Sequence, residues 1–232
     1  MPKVSVLIPT YNYGEYVGQA VTSVLEQTYP NVEILVIDDG STDNTREILR
    51  PYFPWITYLY KANGGTASAL NLGIAKATGK YLCWLSSDDF FFPAKIAKQV
   101  QQMESYPALG FAYTSFAVVD RQGNVQKEIH SPFYPSQREM VTKLMEGCFI
   151  NGSSVIIRAA ALQRVGWFDE AMGPVHDYDL WFRLLRHYPC GFLDEVLIAY
   201  RWHDRNGSYS VPPRCEVPAQ ERARDLFPEW LA

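Results

Sequence analysis

The sequence predicts an α/β fold in which a mixed, mainly parallel sheet is flanked by helices in a single domain. Short apolar runs alternate with segments of helical periodicity through the first half of the chain, an order typical of parallel sheets covered on both faces. The chain has 232 residues, of which 47% are hydrophobic and 20% are charged. Such a chain can bury one large core and is not expected to be disordered.

The bulk composition excludes several classes of protein. The formal net charge of −4 provides no basic surface, which disfavours nucleic acid as a partner. The N-terminal apolar run stops at Pro9 and is too short for a signal peptide or a membrane span. We therefore expect a cytoplasmic protein without a transmembrane span, and peripheral association with a membrane is left open. The widely spaced cysteines encode neither a zinc site nor a disulfide framework: Cys83, Cys148, Cys190 and Cys215.

The first strand and the first helix have clear boundaries. Residues 3–8, KVSVLI, are β-branched or apolar and precede Pro9, as expected of a buried strand that ends at a breaker. An amphipathic helix is then predicted before Pro30. Its apolar face consists of Val17, Ala20, Val21, Val24 and Leu25.

The same alternation continues to residue 103. Residues 32–37, 55–60 and 80–85 are predicted strands because each is a short apolar run. Ser41, Thr42 or Asp43 can cap a helix that ends at Leu49. A further helix is predicted at 65–78, before Gly79, and another begins at Pro93 with one apolar face. That face consists of Ile96, Val100 and Met103.

The second half of the chain is less regular. Residues 109–120 and 124–129 flank the turn RQGN and predict a hairpin. Periodicity predicts helices at 136–147 and 177–188 and strands at 153–158 and 195–202. We expect one domain at 1–210, with a nucleotide-type α/β half at 1–115 and a half at 116–210 that completes the sheet and offers a second surface. Residues 211–232 show little periodicity and are predicted to be a C-terminal tail.

Polar or glycine-rich residues follow each of the early strands. In open α/β sheets, ligands bind beyond the carboxyl ends of the strands, so these segments predict a binding site. No Gly-x-Gly-x-x-Gly turn or Walker loop follows the first strand, which argues against a Rossmann dehydrogenase. The segments are 9–12, 38–41, 61–65 and 86–89.

Adjacent carboxylates at Asp88 and Asp89 follow the fourth predicted strand. Like charges at a buried strand end are costly unless a cation or strong donors lie beside them. A helix cap or a solvated acidic turn is an alternative, but a cap is disfavoured because Pro93 would place it at Phe92. A hard divalent cation, Mn²⁺ or Mg²⁺, that is shared with a diphosphate explains the pair better.

Three residues have both a binding and a structural interpretation. The Tyr11 ring can stack on a base and Asp39 can accept hydrogen bonds from a base edge, or they can be a half-buried surface tyrosine and a turn aspartate. Asn71 lies on the packed face of its helix, where it needs partners. It can contact a ligand, or it can be a satisfied core amide.

The segment HDYDLWFRLL predicts two different aspartates on one helix. Asp177 points toward the packed side at the start of the helix, while Asp179 can pair with Arg183. Asp177 can be a charge that the helix dipole favours, or a catalytic carboxylate that the same dipole keeps ionised. His203 can be a structural histidine or can join the carboxylates as a metal ligand.

Taken together, these motifs resemble the large family of inverting glycosyltransferases that have the GT-A fold and use nucleotide-diphosphate sugars. The resemblance covers about nine-tenths of the chain, and the order of the motifs makes it specific. The segments that carry it are VSVLIPTYN, ILVIDDGSTDNT, NGGTASALNLGIAKATGKYLCWLSSDDFFFP, VGWFDE, HDYDLWFRL and YRWH.

The resemblance implies a role for each candidate position. Asp177 corresponds to the catalytic base, Asp88 and Asp89 to the contacts with ribose and with the metal–diphosphate, and His203 to a further metal or diphosphate contact. The donor would be a UDP-, GDP- or dTDP-sugar, and the acceptor a sugar or glycolipid in polysaccharide or glycoconjugate synthesis. The nucleotide-binding set is Pro9, Thr10, Tyr11, Asp39, Lys61, Asn63, Gly65, Asn71 and Asp88.

Two positions depart from the family pattern. Ser86 stands where members often have the first aspartate of Asp-x-Asp-Asp, and His176 stands where a glutamate commonly precedes the base. The Gln-x-x-Arg-Trp motif and the membrane helices of the processive synthases are absent from the sequence, which favours a single-addition transferase. A sugar nucleotidyltransferase is disfavoured because PTYNYG lacks a glycine-rich basic loop. An inactive nucleotide-binding module is the other alternative.

Overall fold

The structure, a computed structural model, describes residues 1–206 and 215–231. Its strands are β1 Val4–Thr10, β2 Val32–Asp38, β3 Thr57–Tyr60, β4 Tyr81–Trp84, β5 Phe90–Phe91, β6 Phe111–Val119, β7 Val125–Ile129, β8 Ile156–Arg158 and β9 Cys190–Arg201. Its α-helices are α1 Val17–Leu25, α2 Thr45–Leu49, α3 Thr66–Lys76, α4 Lys95–Ser105, α5 Gln137–Leu144, α6 Ala159–Val165, α7 His176–His187, α8 Val217–Leu226 and α9 Pro228–Leu231. Short 3₁₀ helices lie at Arg50–Tyr52, Gly152–Ser154 and Glu170–Val175.

The strands form one mixed sheet in the order β3-β2-β1-β4-β8-β6-β9-β5, and β7 pairs with β6 at its side. Strands β3, β2, β1 and β4 are parallel to one another. Strand β8 is antiparallel to both β4 and β6, whereas β6 and β9 are parallel. The expected single-domain α/β fold with a mixed sheet is therefore confirmed, and the parallel β1–β2 and β6–β9 pairings are its longest.

Alternate residues of the central strands pack on opposite faces of the sheet. On β1, Leu7 belongs to a core that α3 and α7 cover, while Val6 and Ile8 belong to a core that α1 and α4 cover. Burial on both faces explains why β1 is a continuous apolar run rather than an alternating one. Because β1, β2 and β4 are parallel, their carboxyl ends meet at one edge of the sheet.

The structure adds a strand that the sequence did not predict. Strand β5 has only two residues and pairs antiparallel with Ile198 and Ala199 of β9. Helix α4 begins at Lys95 with Ala94 at its N-cap, so the prediction that Pro93 opens the helix is wrong by two residues. Phe92 is held by the same strand pairing, because its N–H donates to Leu197.

Most of the segment predicted as a C-terminal tail, 211–232, is helical, and residues 211–214 and 232 lie outside the described residues. Helices α8 and α9 occupy this segment, and Ala219, Ala223 and Phe227 are fully buried against the α7 side of the core. Alanines contribute to the buried face, which is why the apolar periodicity was weak in the sequence. The division of the preceding chain into two functional halves stays a prediction.

An ion-pair cluster joins this C-terminal segment to α7. Arg222 donates to Asp179 at 2.8 Å and to Asp169 at 2.8 Å. Arg183 pairs with the other oxygen of Asp179 at 2.8 Å, as predicted, although Asp179 is completely buried.

Within the described ranges, no helix is long and apolar enough to cross a membrane.

Candidate active site

A cavity of about 560 Å³ opens at the carboxyl ends of β1 and β4 and is closed on the other side by the start of α7. It brings together residues that lie far apart in the sequence. Of the predicted site residues, those that line it are Pro9, Thr10, Tyr11, Asp39, Asp88, Asp89 and Asp177. Lys61 and His203 do not line the cavity, but Lys61 contacts the Asp39 carboxylate and His203 contacts the Asp88 carboxylate.

The Asp88 carboxylate is held by two residues that follow β9. His203 Nε2 lies 3.1 Å from Asp88 Oδ2, and Asn206 Nδ2 donates to the same oxygen at 3.3 Å. The Arg205 N–H donates to His203 Nδ1 at 3.1 Å, so in the neutral ring the proton is on Nε2 and points at Asp88. His203 thus positions Asp88 in this structure, and its role as a metal ligand stays a prediction.

The Asp89 carboxylate is almost completely buried and accepts two hydrogen bonds. Ser153 Oγ donates to Oδ2 at 2.7 Å, and the Arg201 backbone N–H donates to Oδ1 at 3.0 Å. Burial, and then the adjacent Asp88 carboxylate, raise the pKa of Asp89 well above its usual range. The hydrogen bonds oppose that effect only in part, so a positive charge is favoured here.

Arg201 is a buried cation that contacts both residues of this pair. Its Nε donates to the Asp88 backbone carbonyl at 2.7 Å, and its guanidinium lies 4.8 Å from the centre of the Tyr16 ring. The guanidinium therefore supports the backbone of the acidic turn, whereas its own backbone N–H contacts the Asp89 carboxylate. Sequence reasoning missed Arg201, Ser153 and Asn206, because only the strand pairing brings them to the acidic turn.

The two carboxylates fit a hard divalent cation as a partial set of ligands. Each Asp89 oxygen accepts a single hydrogen bond from the described residues, and Asp88 Oδ1 accepts none from them. Within residues 1–206 and 215–231, no cluster of three or more His, Cys, Asp or Glu side chains forms a complete metal site. This donor set suits a cation that completes its coordination with water and substrate oxygens, as Mg²⁺ does.

Asp39 lies at the carboxyl end of β2 and organises the loop after β3. Lys61 Nζ lies 2.6 Å from its Oδ1, and the N–H groups of Gly64 and Gly65 donate to its oxygens at 3.0 and 2.7 Å. Gly65 has a φ of 88°, a conformation that favours glycine. The predicted residues Lys61 and Gly65 therefore shape the β2 end of the cavity through Asp39, while Asn63 is exposed in the same loop. A nucleotide contact for these residues stays a prediction.

Asn71 does not line the cavity, and the protein itself supplies partners for its amide. Its predicted contact with a nucleotide stays a prediction. Its Nδ2 donates to the Phe168 carbonyl at 2.9 Å and to Glu170 at 3.1 Å, and its Oδ1 accepts from the Phe168 N–H at 3.1 Å. The amide is thus satisfied by the segment between α6 and α7. It connects α3 to that segment, which corresponds to the structural alternative.

Asp177 lies in the first turn of α7 and faces the cavity. Its Oδ1 accepts a hydrogen bond from the Tyr178 N–H at 2.8 Å, one of the free amides at a helix N-terminus. Burial raises the pKa of the Asp177 carboxyl above its usual value, although the neighbouring His176 opposes the shift. A carboxylate with a raised proton affinity is suited to accept a proton from a hydroxyl.

Polar atoms without a hydrogen-bond partner also lie around the cavity. Among the described residues, Thr10 Oγ1, Trp84 Nε1 and His176 Nε2 are buried and unpartnered, and all three residues line the cavity. Leaving such an atom unpaired costs about 1–3 kcal/mol. A polar ligand that bound here would recover that cost.

Solved structures of glycosyltransferases have the same fold. The crystal structure of S. aureus TarS 1–349 in complex with UDP-GlcNAc superposes with a TM-score of 0.76 at 17% identity, covering 99% of this chain and 68% of that one. The mannosyltransferase PcManGT from Pyrobaculum calidifontis, in complex with GDP-Man and Mn²⁺, has a TM-score of 0.69 at 18% identity, covering 97% and 70%. These similarities confirm the expected GT-A fold.

Sequence comparison identifies the family. An uncharacterized glycosyltransferase of Rickettsia typhi is 39% identical over 212 residues, which are 88% of this chain and 65% of that protein. The chain spans about two thirds or less of the length of the curated relatives that it matches. The model of glycosyl transferase family 2 matches residues 5–166. The chain therefore belongs to glycosyl transferase family 2, as the resemblance of its motifs implied.

Proposed function

We propose that this chain is an inverting, single-addition glycosyltransferase that moves a sugar from a nucleotide-diphosphate sugar to an acceptor hydroxyl. One observation carries the proposal: Asp88 and Asp89 share a single cavity with Asp177. The first two carboxylates can hold the leaving diphosphate through a cation, and the third can accept the proton of the acceptor. Use of the product in polysaccharide or glycoconjugate synthesis stays a prediction from the resemblance.

The nucleotide lies at the β1–β2 side of the cavity in this proposal. The Tyr11 ring is 45% exposed, so its face is available for stacking on a base. Thr10 Oγ1, at the same strand end, has no hydrogen-bond partner within the part of the chain that the structure describes. The Asp39 oxygens already accept from Lys61 Nζ and from the N–H groups of Gly64 and Gly65, so a base edge that bonds to Asp39 would share or replace one of these donors. The nucleotide sugars bound by TarS and PcManGT support this class of donor.

Asp88 and Asp89 are the residues that would hold a divalent cation, Mn²⁺ or Mg²⁺. When bound, such an ion supplies Lewis-acid stabilisation of the charge on the departing diphosphate. The Mn²⁺ in the PcManGT complex supports a metal of this kind. Ser153, His203 and Asn206 fix the orientation of the two carboxylates through the hydrogen bonds described above.

Asp177 performs the proton transfer. Its carboxylate accepts the proton of the acceptor hydroxyl while the hydroxyl oxygen forms its bond to the anomeric carbon and the bond from that carbon to the diphosphate oxygen breaks. Attack from the face opposite the diphosphate inverts the anomeric configuration, as in inverting glycosidases, with an acceptor hydroxyl in place of water. The raised pKa of Asp177 increases its proton affinity in this step.

Calorimetry with nucleoside diphosphates tests this function. We expect UDP, GDP or dTDP to bind in the presence of Mn²⁺ and to bind more weakly in its absence. Asp89→Ala should abolish the difference, and Asp225→Ala, which changes an exposed aspartate on α8, is the matched control. Release of nucleoside diphosphate from a panel of nucleotide sugars then distinguishes an enzyme from an inactive binding module. A nucleoside diphosphate affinity that changes neither with Mn²⁺ nor with the Asp89 substitution would contradict the proposal.

A further inference from the structure

Two neighbouring aromatic residues in the cavity carry an unpartnered nitrogen each. Trp84 lies at the end of β4, and His176 is the first residue of α7. Their ring centres are 5.4 Å apart with an interplanar angle of 35°. Trp84 Nε1 and His176 Nε2 are both buried without a hydrogen-bond partner among the described residues. His176 as a whole is only 6% exposed.

The tautomer of the neutral His176 ring is fixed by its other nitrogen. His176 Nδ1 lies 2.8 Å from the Gly173 carbonyl, and a carbonyl can only accept, so Nδ1 carries the proton. In the neutral ring Nε2 is then an acceptor. Gly173 has a φ of 54°, a conformation that side chains disfavour, so a glycine at this position directs the carbonyl toward the imidazole.

Trp84 provides the complementary group. An indole Nε1–H can only donate. The ring is held in place on its other side, because a Cβ on Gly152 would lie 2.5 Å from a Trp84 ring carbon. Phe168 contacts both rings edge-on, and its ring centre lies 5.8 Å from that of Trp84 and 5.4 Å from that of His176. The indole and the imidazole are therefore a rigid pair of one donor and one acceptor.

The chemistry of this pair selects its ligand. A phosphate or carboxylate only accepts and would leave His176 Nε2 unsatisfied, whereas an ammonium only donates and would leave Trp84 Nε1 unsatisfied. A hydroxyl or an amide does both. The neighbouring residue Asp177 lines the same cavity, so the group that binds is close to the place where we put the acceptor and the transferred sugar.

We infer that Trp84 and His176 form a subsite that binds a hydroxyl or acetamido group of a sugar beside Asp177. This inference rests on the proposed function for the position of the sugar. The group belongs to the transferred sugar or to the acceptor, and the two sources have the same chemistry. His176 and Trp84 are then determinants of sugar specificity rather than groups that transfer a proton.

Calorimetry on matched variants tests the subsite. The probes are UDP-sugars and GDP-sugars, each compared with its own nucleoside diphosphate. We expect His176→Phe and Trp84→Phe to weaken the tightest-binding nucleotide sugar about tenfold, the scale of one lost buried hydrogen bond, and to change nucleoside diphosphate affinity less than twofold. His176→Gln, which keeps an acceptor at the end of the side chain, should restore part of the loss. His187→Phe, at the exposed end of the same helix, is the control.

The same variants identify the source of the sugar group. If the group belongs to the acceptor, nucleotide-sugar affinity stays constant and the KM for a responsive acceptor from a panel of nitrophenyl glycosides rises about tenfold. Unchanged donor affinity together with unchanged acceptor KM in His176→Phe, Trp84→Phe and His176→Gln would overturn the subsite. Thermal melts of each variant establish that it is folded.

A failure of the proposed function is distinguishable from a failure of the subsite. If the wild-type protein binds no nucleoside diphosphate, the proposed function is wrong. Saturation-transfer NMR with free glucose, mannose and N-acetylglucosamine then tests the subsite alone. Signals that decrease in His176→Phe but not in His187→Phe support it, and the absence of any signal from the wild-type protein overturns it.

Discussion

Ser153 donates a hydrogen bond to Asp89 at 2.7 Å, although the two residues are 64 positions apart. The contact joins the 3₁₀ turn before β8 to the acidic turn after β4. It satisfies one oxygen of a carboxylate that burial and the Asp88 charge would otherwise keep protonated. Residues outside the sequence neighbourhood of the acidic turn therefore determine how its carboxylates are held.

Asp89→Asn should stabilise the metal-free protein. The folded-state pKa of Asp89 is raised above the unfolded value of about 3.9. The contribution of protonated Asp89 to the free energy of unfolding is therefore complete below about 3.9, and it is lost as the pH rises through the folded pKa. Asparagine removes the charge: its Oδ1 can accept from the Arg201 N–H, and its Nδ2 can donate to the Ser153 hydroxyl, which reverses the direction of that bond. We expect a melting temperature about 2–4 °C higher at neutral pH for each kcal/mol gained, with a difference that grows with pH. Mn²⁺ should raise the melting temperature of the wild type only.

Ser153→Ala should make the Asp89 carboxyl harder to ionise. Loss of the Oγ donor raises the pKa of Asp89 further, so Mn²⁺-dependent binding of a nucleoside diphosphate should require a higher pH. The measurement is calorimetric affinity across a pH series, with Ser68→Ala on α3 as the control. An identical pH dependence in Ser153→Ala and wild type would show that this hydrogen bond does not tune the carboxylate.

Asp177→Asn should reduce turnover by about 100-fold or more, the scale of lost general-base catalysis, while nucleoside diphosphate affinity stays within twofold. Because burial raises the pKa of Asp177, the base is protonated at low pH and the wild-type rate should rise with pH through a limb above the ordinary aspartate range. Steady-state rates across pH measure both effects, and Asp225→Asn serves as the control. Wild-type turnover in Asp177→Asn would exclude this residue as the base.

The parts of the fold that local periodicity encodes were predictable from the sequence. Strands β1, β2 and β4 are apolar runs between breakers, and their carboxyl ends identified the cavity side of the sheet. Strand β5 was not predictable, because two residues have no period and form a strand only by pairing with β9. Helix α8 was missed because its buried face contains Ala219 and Ala223 rather than large apolar side chains.

The same limit applies to the site. Asp39, Asp88 and Asp177 were found because charged residues directly follow or begin apolar elements. Arg201, Ser153 and Asn206 have no such signal, since their contacts depend on where β8 and β9 join the sheet. Asn71 is ambiguous for a related reason: a polar residue on a packed helix face can contact a ligand or the protein, and in the structure Phe168 satisfies its amide.

Asn71→Ala should therefore destabilise the fold without weakening nucleotide binding. The substitution leaves the Phe168 N–H without its acceptor, at a cost of about 1–3 kcal/mol. Chemical denaturation measures that loss, and calorimetry should give a nucleoside diphosphate affinity within twofold of the wild type. The control is Gln101→Ala, which changes an exposed amide side chain on α4. A tenfold loss of nucleotide affinity in Asn71→Ala alone would support the prediction of a nucleotide contact.

Phe227→Ala should show that the C-terminal helices are part of the folded domain. The Phe227 side chain is fully buried and stacks on Trp230 at 4.9 Å, and the Arg186 guanidinium lies 5.6 Å from its ring centre. Removing a buried aromatic side chain costs about 3–5 kcal/mol, which urea denaturation can resolve. Val217→Ala, at a position 36% exposed on the same segment, should cost far less. If the two variants unfold at the same urea concentration as the wild type, α8 and α9 do not stabilise the core that positions α7 and Asp177.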